Sequence, residues 1–524
     1  MDYPTLDQVR QLRDAEMATR ADNRRPLLPL CCDILADMET PVSAYCKTAK
    51  GPYSFLLESV TGGEHIARYS FIGIDPYLVL KQCGETVTLN RIESGSDKSG
   101  RYSTEEVPCH DPLVLIQAEL EQYRLVTPLG ITHDKLPRFH GGAVGYLAYE
   151  TTARFEHLPV PQKDELRLPQ AIFCFTETVL VFDHLKHRVR IVTHLHLDAP
   201  DLDAEYKHVL AIIEDVQQRL RQSPQLPEEP EPEHGAAPSQ IISNRSPGEF
   251  EAMVCQAKEY IRAGDIFQVV LSQRLSRHVD AAPFTVYRAL RAINPSPYMF
   301  FLDLQDFHII GASPELLVRV EDREVTIHPI AGTRRRGDDP QSDQQLADEL
   351  KTDPKERAEH VMLVDLGRND VGRVSIPGSV QVGQFMEIER YSHVMHLVSN
   401  VTGQLRPGLT PYDALRAGFP AGTVSGAPKI RAMEIISELE EEQRGVYAGA
   451  VGYFSHSGNL DTAIALRTMV MQKGRAYIQA GGGIVADSDP AEEYQESMNK
   501  ARALLRALDE AENIAKERRD TCYY

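Results

Sequence analysis

The sequence predicts an α+β protein built on large antiparallel sheets with helices packed outside them. Three observations lead there. Strand-like runs follow one another with no helix between, as where FHIIGAS runs into LLVRVEDREVTIHPI, whereas parallel strands need a long crossover between them. Helical runs such as FEAMVCQAKEYIRAGD and DPLVLIQAELEQYRL lie among the strands, which suits helices packed outside the sheets. Hydrophobic residues make up 42% of the 524 and charged residues 25%, the composition of a globular protein with a substantial core.

In chain order, SFLLES, ARYSFIGI, AIFCFTETVLVF and RVRIVTHLHL read as strands, and the stretch around Tyr206 to Leu220 as a helix. The segment PQLPEEPEPEHGAAP (224–238) carries too many prolines and glutamates to bury a core and reads as a loose, extended linker. It divides the chain into an N-terminal part (20–222), a linker (223–243) and a C-terminal part (244–510). In the latter, IFQVVLSQRLSR and YMFFLDL join FHIIGAS as strands.

Net charge is −20, from 76 acidic and 56 basic residues. Such a surface argues against nucleic acid and anionic membranes as partners. No apolar run of about 18 residues spans a membrane, and the polar, mixed-charge N-terminus is no signal peptide. Eight scattered cysteines without a CxxC pair point to reduced thiols in a cytosol.

Two helix starts are alike. Asp353-Pro354-Lys355-Glu356 and Asp489-Pro490-Ala491-Glu492 each place Asp at the cap, Pro first and Glu third, a capping-box pattern. At 100° per residue Glu359 falls beside Met362, Leu363 and Leu366, so it must be paired, protonated or metal-bound. On the second helix Glu493, Glu496 and Lys500 lie opposite an apolar stripe of Tyr494, Met498, Ala501 and Leu505. Spacing alone makes them a solvated face with a Glu496–Lys500 pair.

Three glycine segments are not nucleotide loops. AGTVSGAPK lacks the Walker order. Gly481-Gly482-Gly483 is too far from the helix start at Asp489 for a dinucleotide fingerprint; it reads as a carboxylate-binding loop or a tight turn. PIAGTRRRG reads as a solvated basic turn, with Gly332 and Thr333 as possible anion donors.

Together these segments resemble the chorismate-utilising enzymes, and among them the component I family of anthranilate synthases. The resemblance rests on ordered motifs: LLES, IFQVVLS, NPSPYMF, GASPE, PIAGTRRRG, KERAEHVMLVDLGRND, YSHVMHLVS, FPAGTVSGAPK, GVYAGAVGYF, ALRT, AGGGIVADSDP and ESMNKA. It implies two large antiparallel sheets packed on each other, with the two parts as halves of one body. It also implies Mg²⁺ on Glu359 and Glu496, with Glu493 direct or through water and Lys500 tuning the charge. Arg467 and Tyr447 would hold the enolpyruvyl group of chorismate, and Gly332, Thr333, Thr423, Gly481, Gly482 and Gly483 its ring carboxylate and hydroxyl. Glu315 of GASPE would be the general acid for the C4 hydroxyl, and His396 would assist loss of pyruvate.

Family members that add water carry a lysine where this chain has Gln268, and those with a lysine nucleophile have PIKGT where this chain has Ala331. The resemblance therefore implies ammonia as nucleophile and anthranilate as product, with a separate glutamine amidotransferase subunit delivering the ammonia. It further implies a tryptophan feedback site of Leu57, Glu58, Ser59, Asn294, Pro297, Tyr298, Met299 and Tyr453. The competing readings are an aminodeoxyisochorismate synthase that stops before pyruvate loss, and a catalytically silent tryptophan sensor.

Overall fold

The computed structural model describes residues 3–18, 22–60, 68–92, 102–127, 136–231, 240–391 and 394–521. Two sheets form the body, of 13 and 12 strands, and every strand pair within them is antiparallel except Arg25–Leu35 against Tyr123–Leu125. Each sheet draws strands from both sides of residues 223–243. In the larger, Ser54–Glu58 lies between Tyr69–Gly73 and Tyr298–Asp303. In the smaller, Gly142–Leu147 lies between Ala171–Thr176 and Ala450–Ser455. The α+β expectation is met, and the strands expected from SFLLES, YMFFLDL and FHIIGAS are all present.

The inner faces of the two sheets share an apolar layer that includes Phe55, Phe71, Phe139, Val144, Phe300 and Tyr453. Helices cover the outer faces. Leu202–Leu220, Pro283–Ile293 and Pro490–Thr521 pack on the larger sheet, as does Lys429–Glu440 against strand Gln268–His278, and Pro354–Val374 and Pro411–Gly418 pack on the smaller. Burying apolar side chains in three layers supplies the main driving force for this arrangement.

Among the short passages between the sheets, two lie side by side. His308–Ser313 ends in the larger sheet, and Leu316–Glu321 begins in the smaller. Leu460–Ile464 and Thr468–Gln472 make the reverse passage. The turns are stitched together, because Ile464 N donates to the Glu315 carbonyl at 3.1 Å and Ser313 Oγ to the Ile464 carbonyl at 2.6 Å. Glu315 and Arg467 thus lie on adjacent crossings at the seam of the sandwich.

The linker differs from its expectation. It is extended, but not loose over its first part. The Glu229 carboxylate is buried and accepts from Ala282 N and Thr285 Oγ1 (both 2.7 Å) at the start of helix Pro283–Ile293, and it also pairs with Arg518. Composition hides one buried glutamate among exposed ones. Residues 232–239 of the linker and 522–524 of the tail lie outside the described residues.

Candidate active site

At the seam, Glu315 is buried (5% exposed), and Thr423 Oγ1 donates to its carboxylate at 2.7 Å. Burial pushes its carboxyl up to about 8, against the opposing pull of that hydrogen bond and of Arg467. A carboxyl so placed keeps its proton near neutrality, as a general acid requires. Arg467 adopts a left-handed backbone, φ 46°, unusual for a residue with a side chain. Its carbonyl accepts from Ala312 N (3.1 Å), and burial lowers its basicity while Glu315 and Tyr391 raise it.

His396 stands on strand Val394–Gln404. Its Nδ1 lies 2.9 Å from the Gly332 carbonyl and 3.1 Å from Thr333 Oγ1. A carbonyl only accepts, so Nδ1 carries the hydrogen and Nε2 is the basic nitrogen. Burial first, and then Arg467, hold the ring below the ordinary histidine range. Gly332 is the extra residue of a bulge, since Ala331 pairs with Leu397 and Thr333 with His396. Its φ of 63° and the approach of Glu356 and Leu350 to any Cβ explain the glycine. PIAGTRRRG is therefore no solvated turn. It forms strand Ile330–Arg335, with Arg334 paired to Asp353 and Glu356 (both 2.9 Å) and Arg336 to Asp343. Glu356 thus serves Arg334, while Asp353 alone caps the helix through Lys355 N and Glu356 N.

The three glycines also depart from expectation. Gly481, Gly482 and Gly483 lie inside strand Arg475–Ile484, opposite Ser272, Leu271 and Val270, and form neither loop nor turn. A Cβ on Gly481 would stand 2.2 Å from the Leu271 carbonyl, and one on Gly483 2.1 Å from Gln268 Nε2. Gly481 and Gly483 share one face, and on the other a Cβ on Gly482 would stand 2.8 Å from Glu493 Oε2, so both faces are crowded. Gln268 opens the neighbouring strand, buried, with no hydrogen-bond partner for Oε1 among the described residues. Ala331 is buried as well.

Glu359, Glu493 and Glu496 gather where two helices meet. Glu359 is half-buried; burial raises its carboxyl, as do Glu356 and Glu496, against Lys500. Glu496 is exposed and pairs with Lys500 at 2.7 Å, as its spacing suggests, and Lys500 Nζ also donates to the Gly481 carbonyl at 3.0 Å. Glu493 is not on a solvated face. Ser488 Oγ donates to its Oε1 at 2.6 Å, Oε2 is buried without a partner among the described residues, and burial raises its carboxyl. Helical period cannot foresee the 485–488 turn folding over it.

Among the described residues no three His, Cys, Asp or Glu side chains are arranged to hold a metal by themselves. The donors still suit Mg²⁺, which binds through one or two carboxylates and keeps water and anionic ligands for the rest. The orphaned Glu493 Oε2, and the burial and then repulsion that lift Glu359 and Glu493, are what a divalent cation would relieve.

Tyr447 lies buried beside Arg444, whose guanidinium faces its ring at 5.6 Å and that of Tyr149 at 4.7 Å. Arg444 is buried, bonded to Glu440 and to the Val270 and Val424 carbonyls. It ties the walls of the site together, a role sequence reading missed.

A separate cavity opens between the sheets. It is lined by Leu57, Glu58, Ser59, Pro297, Tyr298, Met299 and Tyr453. Asn294 is not among its lining residues; it caps helix Pro283–Ile293, with Nδ2 buried and unpartnered among the described residues. Arg319 and Asp461, also lining it, pair at 2.9 Å, and both bond Tyr298 Oη. Glu58 accepts from Tyr287 and Arg291. Sequence reading missed Arg319 and Asp461 because they alternate with core residues on ordinary-looking strands.

The sequence profile of the chorismate binding enzymes matches residues 76–506. The chain belongs to that family. Anthranilate synthase component 1 of Acetivibrio thermocellus is 46% identical over 98% of this chain and 100% of its own length. That of Pseudomonas putida is 48% identical over 93% and 96%. The crystal structure of anthranilate synthase component I from Streptococcus pneumoniae superposes with a TM-score of 0.70, at 39% identity over 90% of this chain and 98% of that one. The residues fall into three groups: Glu315, Thr423, His396, Gly332, Thr333 and Arg467 about the seam; Glu359, Glu493, Glu496 and Lys500 at the helix ends; and the separate cavity between the sheets. No helix among the described residues is long and apolar enough to cross a membrane.

Proposed function

We propose that this chain is the chorismate-converting component of an anthranilate synthase, aminating chorismate and expelling pyruvate. The observation that carries the reading is Glu315, a buried, proton-retaining carboxyl held by Thr423 beside Arg467 at the seam. Arg467 and Tyr447 grip the enolpyruvyl carboxylate, and Gly332, Thr333 and the Gly481–Gly483 strand frame the ring carboxylate. Ammonia adds at C2 while Glu315 gives its proton to the departing C4 hydroxyl. His396, basic at Nε2, then helps remove the C2 proton as pyruvate leaves and the ring becomes aromatic.

Glu359 and Glu496, with Glu493, would hold Mg²⁺, which when bound supplies positive charge against the ring carboxylate. Gln268 supplies no base for water, and Ala331 no nucleophile, so ammonia is the nucleophile. A separate glutaminase subunit in the cytoplasm delivers it. The cavity between the sheets is the tryptophan site; its apolar walls and its Arg319–Asp461 pair suit a zwitterionic aromatic ligand. The test is turnover of chorismate with ammonia and Mg²⁺, followed by anthranilate fluorescence with and without tryptophan. Anthranilate formation that requires Mg²⁺ and falls with tryptophan is the expected result. Accumulation of a non-aromatic amino product, or no turnover, would overturn it.

A further inference from the structure

A second, smaller cavity lies along helix Pro354–Val374 and has Glu315 and Thr423 in its wall. Much of the rest is apolar or bare backbone, including Leu316, Ile327, Pro329, Leu366 and Gly367. One ionisable group other than Glu315 lines it. Asp370 is 5% exposed; its Oδ2 accepts from Lys429 Nζ at 2.7 Å, and its Oδ1 is buried with no hydrogen-bond partner among the described residues. Asp370 follows Glu359, Leu363 and Leu366 on one helical stripe, so the helix presents it on the face that meets the seam.

A buried acceptor without a donor is unfavourable, and a polar cavity wall is where ordered water supplies one. The reaction proposed above creates a need at this place. When the C4–O bond breaks, its electrons leave with the oxygen, which takes the Glu315 proton and departs as water. Glu315 remains as a carboxylate and needs a proton before the next turnover. The nitrogen that adds at C2 as ammonia becomes an ammonium group and sheds one proton, so the amination consumes no net proton.

We propose that this cavity is the water exit and proton-return route for Glu315, with Asp370 as the positioning residue whose Oδ1 holds the bridging water. The proposal rests on the acid role of Glu315. Its accessible space of about 30 Å³ accommodates roughly two waters, at about 10–15 Å³ each. The charged groups facing the two ends are Lys429 and Arg373 at Asp370, and Arg467 at Glu315. Lys429, held on the opposing helix, keeps Asp370 oriented with Oδ1 free.

The test uses the full chain with saturating ammonia and Mg²⁺. Asp370→Asn preserves shape but weakens the acceptor. The expected result is a kcat lower by about tenfold, a fraction of what a general acid contributes, with the chorismate KM little changed. The solvent deuterium isotope effect on kcat should grow, and imidazolium buffer should restore part of the rate. A wild-type kcat, or a loss that neither responds to added acid nor alters the isotope effect, overturns the proposal. Gly367→Ala is the second variant: its methyl meets Pro329 at 3.4 Å, an ordinary contact, and narrows the cavity. It should show the same isotope signature, and wild-type kinetics in it count against the route. Glu315→Gln separates the two levels: full turnover there overturns the acid role itself, whereas a dead Glu315→Gln beside a normal Asp370→Asn overturns only the return route.

Discussion

The two cavities that flank strand Leu316–Glu321 are built on opposite electrostatic plans. Around Arg319 and Asp461 the charges are answered: the pair is closed at 2.9 Å, Tyr298 bonds both, and Glu58 has Tyr287 and Arg291, while the neutral Ser59 hydroxyl has no partner among the described residues. Around Glu315, a few residues earlier, charges are left wanting. Its carboxyl is protonated by burial, Asp370 and Gln268 each keep an oxygen without a partner among the described residues, and Arg467 is held in a left-handed turn. A satisfied polar set makes a pre-shaped receptor that need not change when a ligand comes. An unsatisfied set stores the demand that chemistry meets.

The comparison breaks most sharply at Glu315. Glu315→Gln should lower kcat by roughly 10²–10⁴-fold while the chorismate KM moves little, measured by ammonia-dependent fluorescence. A loss confined to KM would make Glu315 a binding group like those of the other cavity. Next in size is the alkaline limb. Glu315 acts protonated, so kcat/KM should fall about tenfold per unit as pH rises past about 8, where its carboxyl ionises. The same shift has a stability sign. A carboxyl raised above its ordinary 4.5 works against the fold as pH climbs from there to about 8. Glu315→Gln should therefore raise the thermal midpoint well above pH 8 and leave it unchanged below pH 4.5.

In the satisfied cavity, Asp461→Asn opens the Arg319 pair. It should weaken tryptophan binding by about 10–100-fold, the worth of roughly 1.5–3 kcal/mol for a charged hydrogen bond, read by calorimetric titration. Unchanged affinity would detach the pair from the ligand. The smallest effect belongs to the linker: Glu229→Gln, buried at the start of helix Pro283–Ile293, should cost about 1–2 kcal/mol in urea unfolding.

Local pattern reaches some of these features and not others. Strand succession was enough for the α+β class, and Glu359 stands half-buried as its helical phase requires. Gly481–Gly483 misled because a run of glycines looks like a loop, whereas here the neighbouring strand, Glu493 and the Gln268 side chain crowd each Cβ in turn. Glu493 misled because helical phase says nothing about a turn from the preceding segment closing over it. Asp461 and Asp370 carry no local signal at all, since their importance arises from partners 142 and 59 residues away. Motif order placed Glu315, Thr423 and His396 together, and only packing reveals which of their atoms lack partners.

The sheet pairing also sets a timetable for birth on the ribosome. Gly145 pairs with Gly452, so strand Gly142–Leu147 waits for about 300 further residues before one of its neighbours exists. At a synthesis rate of about 5–20 residues per second, that edge stays open for roughly 15–60 s. The strand is GAVGYL, wholly buried once paired, and so a sticky template while it waits. For this chain the hours after synthesis matter less than the first minute, when half of each sheet is already made and must be kept from finding the wrong edge.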